Sequence, residues 1–320
     1  MKGLTDIPGV LVGHASDYDG LTGCTAVLCE AGAVAGGDIR GSATGTSEWD
    51  VLNPMHITDR IHGVCFAGGS AFGLEAAAGV RRFLEHKGVG FAFGGAHIPI
   101  VPAAILFDLG LSKEHARPTR EMGESAAAAA SDKAVVEGAV GAGTGATVGK
   151  MFGMKQAMKS GIGTFTVEMT GAFAGIKVAA MAAVNAFGDV KDPATGKIIA
   201  GARRAPNSME FADTGREMLQ RLPEPLGRTN TTLVIVATNA ALTKVEANKL
   251  AQLASLGTAR AIDPVNTTGD GDLTIALSCG SMRAPVNSLG VAAAEAVAQS
   301  IVRAVPMAPS LGGLPGLFKK

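Results

Sequence analysis

Downstream of a stretch holding Pro223, Pro225 and Gly227, polar positions give way abruptly to the apolar run Leu233, Val234, Ile235, Val236 and Ala237. A β-branched apolar run bounded by turn residues is the pattern of a buried strand, and here it starts at about Thr231. A hydroxyl residue therefore stands at a strand's first position. By itself this is unremarkable, because threonine is at home in sheets and Asn-Thr is an ordinary way into a strand.

Upstream, residues 9–45 read as short strands broken by glycine: 10–12, then His14 and a turn at Asp17, Asp19 and Gly20, then 24–29. Residues 40–46 form a loop of small side chains, and 61–67 an apolar strand that runs through Gly68, Gly69 and Ser70 into a helix ending near His86. Ser70 is expected to cap that helix with its hydroxyl. Residues 163–169 and 176–184 read as two strands, the second ending at Asn185, and residues 189–227 as a long connection with one helix near 208–221. Thr243 and Glu246 make a capping box that opens an amphipathic helix, with Val245, Leu250, Leu253 and Leu256 as its buried stripe and Gly257 closing it. A strand over 273–278 and an Ala-rich helix over 291–304 complete the pattern.

Composition narrows the setting. The chain has 320 residues, 47% of them hydrophobic, enough for a large core. Its 44 glycines and 4% aromatics imply layers packed backbone against backbone, with small residues where elements cross. The 28 basic and 28 acidic residues cancel and form no long runs, which argues against nucleic acid or an anionic membrane as partner. Cys24, Cys29, Cys65 and Cys279 lack metal-ligand spacing and are expected as buried free thiols. With no signal-like apolar core near Met1 and no stretch of transmembrane length, a cytoplasmic location is expected.

Several segments invite chemistry. Residues 68–73 resemble a nucleophile elbow, but Phe72 stands where that turn needs glycine. Residues 141–150 miss the phosphate-loop pattern at Thr144 and Met151 and meet the dinucleotide pattern only loosely, through Gly141, Gly143 and Ala146. The segment then reads as a Gly-rich wall with Lys150 projecting into a cleft, although a lone lysine is more often a solvated surface group. Asn185, at the end of a strand, is either a turn former or an amide that could donate to an oxyanion. Asp270 and Asp272 flank Gly271 and could lie on one side of the backbone; a plain turn is the simpler account, and the loop lacks the ligand count of a calcium site. Neither metal nor cofactor is expected.

If the Asn230-Thr231 bond were cut by the Thr231 hydroxyl, Thr231 would carry nucleophile and free amine together. An α-amine titrates at about 7.7–8.0, so it could serve as the base for its own hydroxyl.

The order of the segments Leu4-Thr5-Asp6-Ile7-Pro8-Gly9-Val10, Val12-Gly13-His14, Thr22-Gly23-Cys24-Thr25, Gly68 to Gly73, Asn230-Thr231-Thr232, Val236-Ala237-Thr238-Asn239 and Asp270-Gly271-Asp272 resembles the L-aminopeptidase/D-esterase (DmpA) family. That family includes β-peptidyl aminopeptidases and nylon-oligomer (6-aminohexanoate oligomer) hydrolases. The resemblance implies an α+β fold, a four-layer αββα sandwich like that of ornithine acetyltransferases. It also implies a chain that cuts itself into residues 1–230 and 231–320 and assembles as a homo-oligomer of αβ units, a tetramer or larger. Thr231 would be the nucleophile, Asn185 an oxyanion donor and Lys150 an electrostatic support for the hydroxyl, while Asp270 and Asp272 would orient the new amine. Two positions depart from the family's branches: Phe107 aligns with a tyrosine of the nylon-oligomer hydrolases, and Asp270 and Asp272 replace the Ser and Glu common in aminopeptidases.

The expected activity is a self-processing threonine hydrolase of short peptides, amino-acid amides or 6-aminohexanoate oligomers. Acyl transfer of the ornithine acetyltransferase kind is the alternative on the same fold, and nucleotide binding at residues 141–150 the alternative of another class.

Overall fold

A computed structural model of the chain describes residues 1–222 and 230–319, so Pro223, Pro225 and Gly227 lie outside the described residues. The principal elements, in chain order, are β1 (Leu11–Asp17), β2 (Thr22–Ile39), β3 (Ile61–Ala67), α1 (Ala76–His86), β4 (Ala103–Ile105), α2 (Arg120–Ala128), β5 (Ile162–Glu168), β6 (Lys177–Asn185), β7 (Thr231–Ala240), α3 (Lys244–Ala261), β8 (Leu273–Met282) and α4 (Val286–Ala304).

The residues expected as short strands and glycine breaks between 22 and 39 form instead one strand of 18 residues that belongs to two sheets. Its first half lies between β1 and β3, pairing Thr25 with His14 and Phe66. Its second half lies beside β8, pairing Gly36 with Ala276. Pairing with β3 shifts register between Leu28 and Ala33, and Gly32 sits there at φ +80°, a conformation that costs glycine least. The later glycines do not break the strand because they serve close approach. A Cβ on Gly36 would stand 2.2 Å from the backbone nitrogen of Asn248 in α3.

The first sheet continues from β3 to β4, which run parallel, and the second runs β5, β6, β7, β8, β2 with only β7 and β8 parallel. Period-two alternation sorts their side chains into three cores. Val27, Val64 and Phe66 meet Met181, Leu233, Ile235 and Ile275 between the sheets. Val234, Val236 and Ala276 point the other way, onto Leu250 and Ala254 of α3 and Val297 and Ile301 of α4. Cys24, Ala26 and Cys65 face Ala77, Val80 and Leu84 of α1 and Ala126 of α2. Helix, sheet, sheet, helix is thus the αββα sandwich expected from the resemblance. Each fully buried Leu or Ile contributes about 1.5–3 kcal/mol by leaving water, so the stacking is held mainly by these layers.

Several local expectations change. The capping box of Thr243 and Glu246 forms, but α3 continues past Gly257, where a Cβ would meet the Ala294 carbonyl oxygen at 2.2 Å. That glycine lets α3 and α4 touch; it does not end the helix. Val245 and Leu256 are exposed, and the buried stripe is Ala247, Leu250, Ala251 and Ala254, because small residues suit the close crossing. Ser70 caps nothing: it has φ +54° inside a 3-10 turn, and the Gly69 N–H is answered by Asp108 instead. The helix expected at 208–221 shrinks to Thr214–Met218, capped by Asp213, and its connection contains the strands Asp189–Lys191 and Ile198–Ala200. Helix α4 starts five residues earlier than its pattern suggests, just after Pro285. No helix among the described residues is long and apolar enough to cross a membrane.

Candidate active site

Thr231 is the first residue of β7, and alternation gives it the same face as Leu233 and Ile235, toward the space between the sheets. It is 3% exposed. Its Oγ1 lies 2.5 Å from the carbonyl oxygen of Asn230, and the Gly271 N–H donates to that same oxygen at 2.8 Å. Asn230 pairs with Asp270 in a parallel bridge. The carbonyl that self-cleavage would attack is therefore already polarised by a backbone donor. Gly271 has no room for more: a Cβ there would come within 2.7 Å of Thr231 Oγ1.

On the other flank, Asn185 ends β6 directly opposite Thr231 in the antiparallel register. Its side chain is held firmly. Nδ2 donates to the Phe107 carbonyl at 2.9 Å, while Oδ1 accepts from Lys150 Nζ at 2.9 Å and from the Thr147 N–H at 3.1 Å. Lys150 Nζ also donates to the Asn185 carbonyl at 2.9 Å. Lys150 is 2% exposed, and burial pushes its ammonium down to about 7, against the pull of Asp270, Asp272 and Asp108. An amine poised there can be cation or base near neutral pH.

Asp270 and Asp272 come from the loop before β8 and are both buried. Asp272 accepts the Thr232 N–H at 2.5 Å and the Asn266 N–H at 2.9 Å, and Asp270 accepts the Thr267 N–H at 2.7 Å. Burial, and then the neighbouring Asp270, raise the Asp272 carboxyl to about 7. The small-residue loop 40–46 closes over this pair, with the Gly41 N–H on the Asp272 carbonyl at 3.0 Å and the Ala43 N–H on the Asp270 carbonyl at 2.8 Å. All six residues singled out in the sequence, Asn230, Thr231, Lys150, Asn185, Asp270 and Asp272, thus meet at one end of the inter-sheet layer.

The structure adds groups that no motif marked. Asp108 and Lys159 are buried within the same region, and the Phe107 carbonyl anchors Asn185. Each was detectable in one way only, as a lone charge inside an otherwise small or apolar stretch: Leu106, Phe107, Asp108, Leu109 and Ala157, Met158, Lys159. Beside Lys150 opens a cavity of about 190 Å³ walled by Phe107, Leu109, Leu111, Met154 and Thr147. Residues 141–150 are buried and the Lys150 amine is bound to Asn185, so nothing among the described residues favours the nucleotide reading.

The profile of peptidase family S58 matches residues 2–317. An uncharacterized aminopeptidase of Mycobacterium leprae is 36% identical, over 99% of this chain and 94% of its own. A 6-aminohexanoate-oligomer endohydrolase of Kocuria sp. is 29% identical, over 88% of this chain and 76% of its own. Among solved structures, the L-aminopeptidase D-Ala-esterase/amidase of Ochrobactrum anthropi superimposes with TM-score 0.73 at 19% identity, covering 98% of this chain and 88% of that one. A Burkholderia sp. β-aminopeptidase gives TM-score 0.68 at 24% identity, covering 99% and 91%.

Proposed function

The chain belongs to peptidase family S58, a hydrolase of peptide and other amide bonds, and from that premise we propose that Thr231 is its nucleophile, released by self-cleavage after Asn230. The observation that carries the proposal is the arrangement at the Asn230 carbonyl, whose oxygen accepts from both the Thr231 hydroxyl and the Gly271 N–H.

In self-cleavage, Thr231 Oγ1 bonds to the Asn230 carbonyl carbon, the Thr231 nitrogen leaves with a proton as the amine, and an ester links the two residues. Water then hydrolyses the ester, leaving a carboxylate on Asn230 and a free hydroxyl and amine on Thr231. The same hydroxyl next attacks a substrate amide, passing its proton to its own amine; the substrate C–N bond breaks, the leaving amine takes that proton, and water hydrolyses the ester on Thr231 to release the acid and restore the hydroxyl. Asn185 Nδ2 would donate to the substrate oxyanion, and Lys150 would stabilise the negative charge that develops on oxygen. Asp270 and Asp272 would hold the new amine in place, with Gly271 between them.

The substrate reading is a short peptide or amino-acid amide, with 6-aminohexanoate oligomers as a further substrate of the same chemistry. Its support is the naming of the relatives as aminopeptidase and 6-aminohexanoate-oligomer endohydrolase, together with a small, largely apolar cavity at Lys150. Assembly as a homo-oligomer is supported by the hairpin of Phe91–Phe93 and Ala96–Ile98, whose stacked Phe91 and Phe93 rings are 58% and 70% exposed. Cys24, Cys29, Cys65 and Cys279, all free, favour a reducing cytoplasm.

Intact-mass measurement beside Thr231→Ala tests the reading. The expected result is two fragments divided between residues 230 and 231 in the parent, one uncut chain in the variant, and a loss of amidase activity of about 10⁴-fold or more. Active parent protein that remains one chain overturns it.

A further inference from the structure

Asp108 and Lys159 are buried charges for which the reaction described above has no use. Asp108 is 2% exposed and Lys159 fully buried. Both Asp108 oxygens are occupied, Oδ2 by the Thr22 hydroxyl at 2.7 Å and Oδ1 by the Gly69 N–H at 2.7 Å. Among the described residues Lys159 Nζ donates only to carbonyls, those of Ala146 at 2.5 Å, Ser160 at 2.8 Å and Gly143 at 3.4 Å. No carboxylate is hydrogen-bonded to it among the described residues; its countercharge is Asp108, acting through space.

Their place in the chain is specific. Asp108 follows Phe107, whose carbonyl accepts from Asn185 Nδ2. It also packs so tightly on Gly145 that a Cβ there would stand 2.5 Å from its own. Lys159 grips Ala146, the residue before Thr147, whose N–H and hydroxyl both reach Asn185 Oδ1. So the anion braces one partner of the Asn185 amide and the cation braces the other. Gly145 and Ala146, the residues that the two charges pack against, lie on the segment that ends in Lys150.

A merely structural brace would not need charge, since buried ion pairs are often replaceable by apolar groups without loss. Here the charges act on Lys150. The groups that act on its ammonium are Asp270 and Asp272 from the loop before β8 and Asp108 from the turn after β4, all attracting it, and Lys159 repels it in turn. Resting on the roles proposed above for Lys150 and Asn185, we propose that Asp108 and Lys159 are positioning residues of the amidase. They act through the Asn185 amide and the Lys150 charge; Asp108 borders the cavity beside Lys150, but both its oxygens are taken by Thr22 and Gly69.

The test is the pH profile of kcat and KM for amide hydrolysis by the self-processed enzyme. Asp108→Asn keeps the shape and removes the anion, so Lys150 loses its proton more readily and the limb of the kcat profile that reports it moves toward acid, with KM nearly unchanged. Thr22→Val deletes only the hydroxyl that stabilises the charged Asp108 and gives a smaller shift in the same direction. Adding Lys159→Met to Asp108→Asn removes the repelling cation and moves the limb back toward that of the parent. The isosteric Thr22→Val decides the matter should Asp108→Asn not fold. A limb that stays within about 0.2 pH unit of the parent in the folded variants overturns the proposal, since one full unit corresponds to about 1.4 kcal/mol. So does a double variant no nearer to the parent than the single one. Activity that survives Thr231→Ala would instead overturn the nucleophile assignment, a separate outcome read in a separate variant.

Discussion

The two flanks of Thr231 carry opposite charge but are built alike. On the β6 side, Lys150 and Lys159 donate, among the described residues, only to oxygens that bear no full charge, the carbonyls and amide of Asn185, Ala146, Ser160 and Gly143. On the β8 side, Asp270 and Asp272 accept from backbone N–H groups of residues 232, 266 and 267. Among the described residues no salt bridge joins the two sets, and their attraction acts across Thr231. A direct ion pair would neutralise both charges and leave the hydroxyl between them unassisted. Holding each charge by neutral backbone dipoles keeps it available for a group that changes charge during the reaction.

Removing the cation from this arrangement should do the most damage. Lys150→Met keeps the length of the side chain, and kcat for an amide is expected to fall about 10²–10³-fold, the usual loss of one preorganised electrostatic contact. Self-cleavage, followed by intact mass over time, should slow with it. If processing proceeds at the parental rate while hydrolysis fails, the cation side serves the mature enzyme alone.

The anion side should be more forgiving in rate and less so in structure. In Asp272→Asn the carboxamide presents one acceptor where two are in use, so the N–H of Thr232 or of Asn266 faces another donor. An unsatisfied buried donor costs about 1–3 kcal/mol, and the loop that carries the Gly271 N–H should loosen. A drop of about tenfold in kcat together with a lower Tm is expected. Unchanged stability with a full loss of activity would show that charge, and not the backbone bonds, is the contribution of Asp272.

The two sides were not equally legible in the sequence. The Asp270-Gly271-Asp272 triplet and the strand opening at Thr231 are local, so alternation and turn residues place them. Lys150 and Asn185 are 35 residues apart, and it is the pairing of β6 with β7 that carries Asn185 to Thr231. Asp108 and Lys159 had no motif at all, because a buried charge is recognised by its neighbours in space. The same limit explains β2 and α3. Glycines 36 and 257 read as breaks, whereas each is a contact point for another element that no local pattern reveals. The layered αββα fold was nevertheless implied by the resemblance, and the three apolar cores account for it.

The charges on both sides also make a prediction about stability, with a sign that changes at neutrality. Asp272 titrates at about 7 in the folded chain instead of its ordinary 3.8, so between those values the folded state keeps a proton that the unfolded state has lost. Stability contributed by this group therefore falls as pH rises through that window. Lys150 and Lys159 titrate at about 7 instead of 10.5, so above 7 it is the unfolded state that holds the extra protons and stability rises with pH. Together these groups put a minimum near pH 7, with limbs of at most about 1.4 kcal/mol per pH unit for each proton. Thermal melts from pH 5 to 9.5, run in the Thr231→Ala background to keep the chain intact, should show it against two references. Asp272→Asn is expected to flatten the acid limb and Lys159→Met to make the alkaline limb shallower, each by a few degrees of Tm per pH unit at most. Parallel curves for all three proteins would mean that these charges are solvated, and the contrast between the flanks would then lose its electrostatic basis.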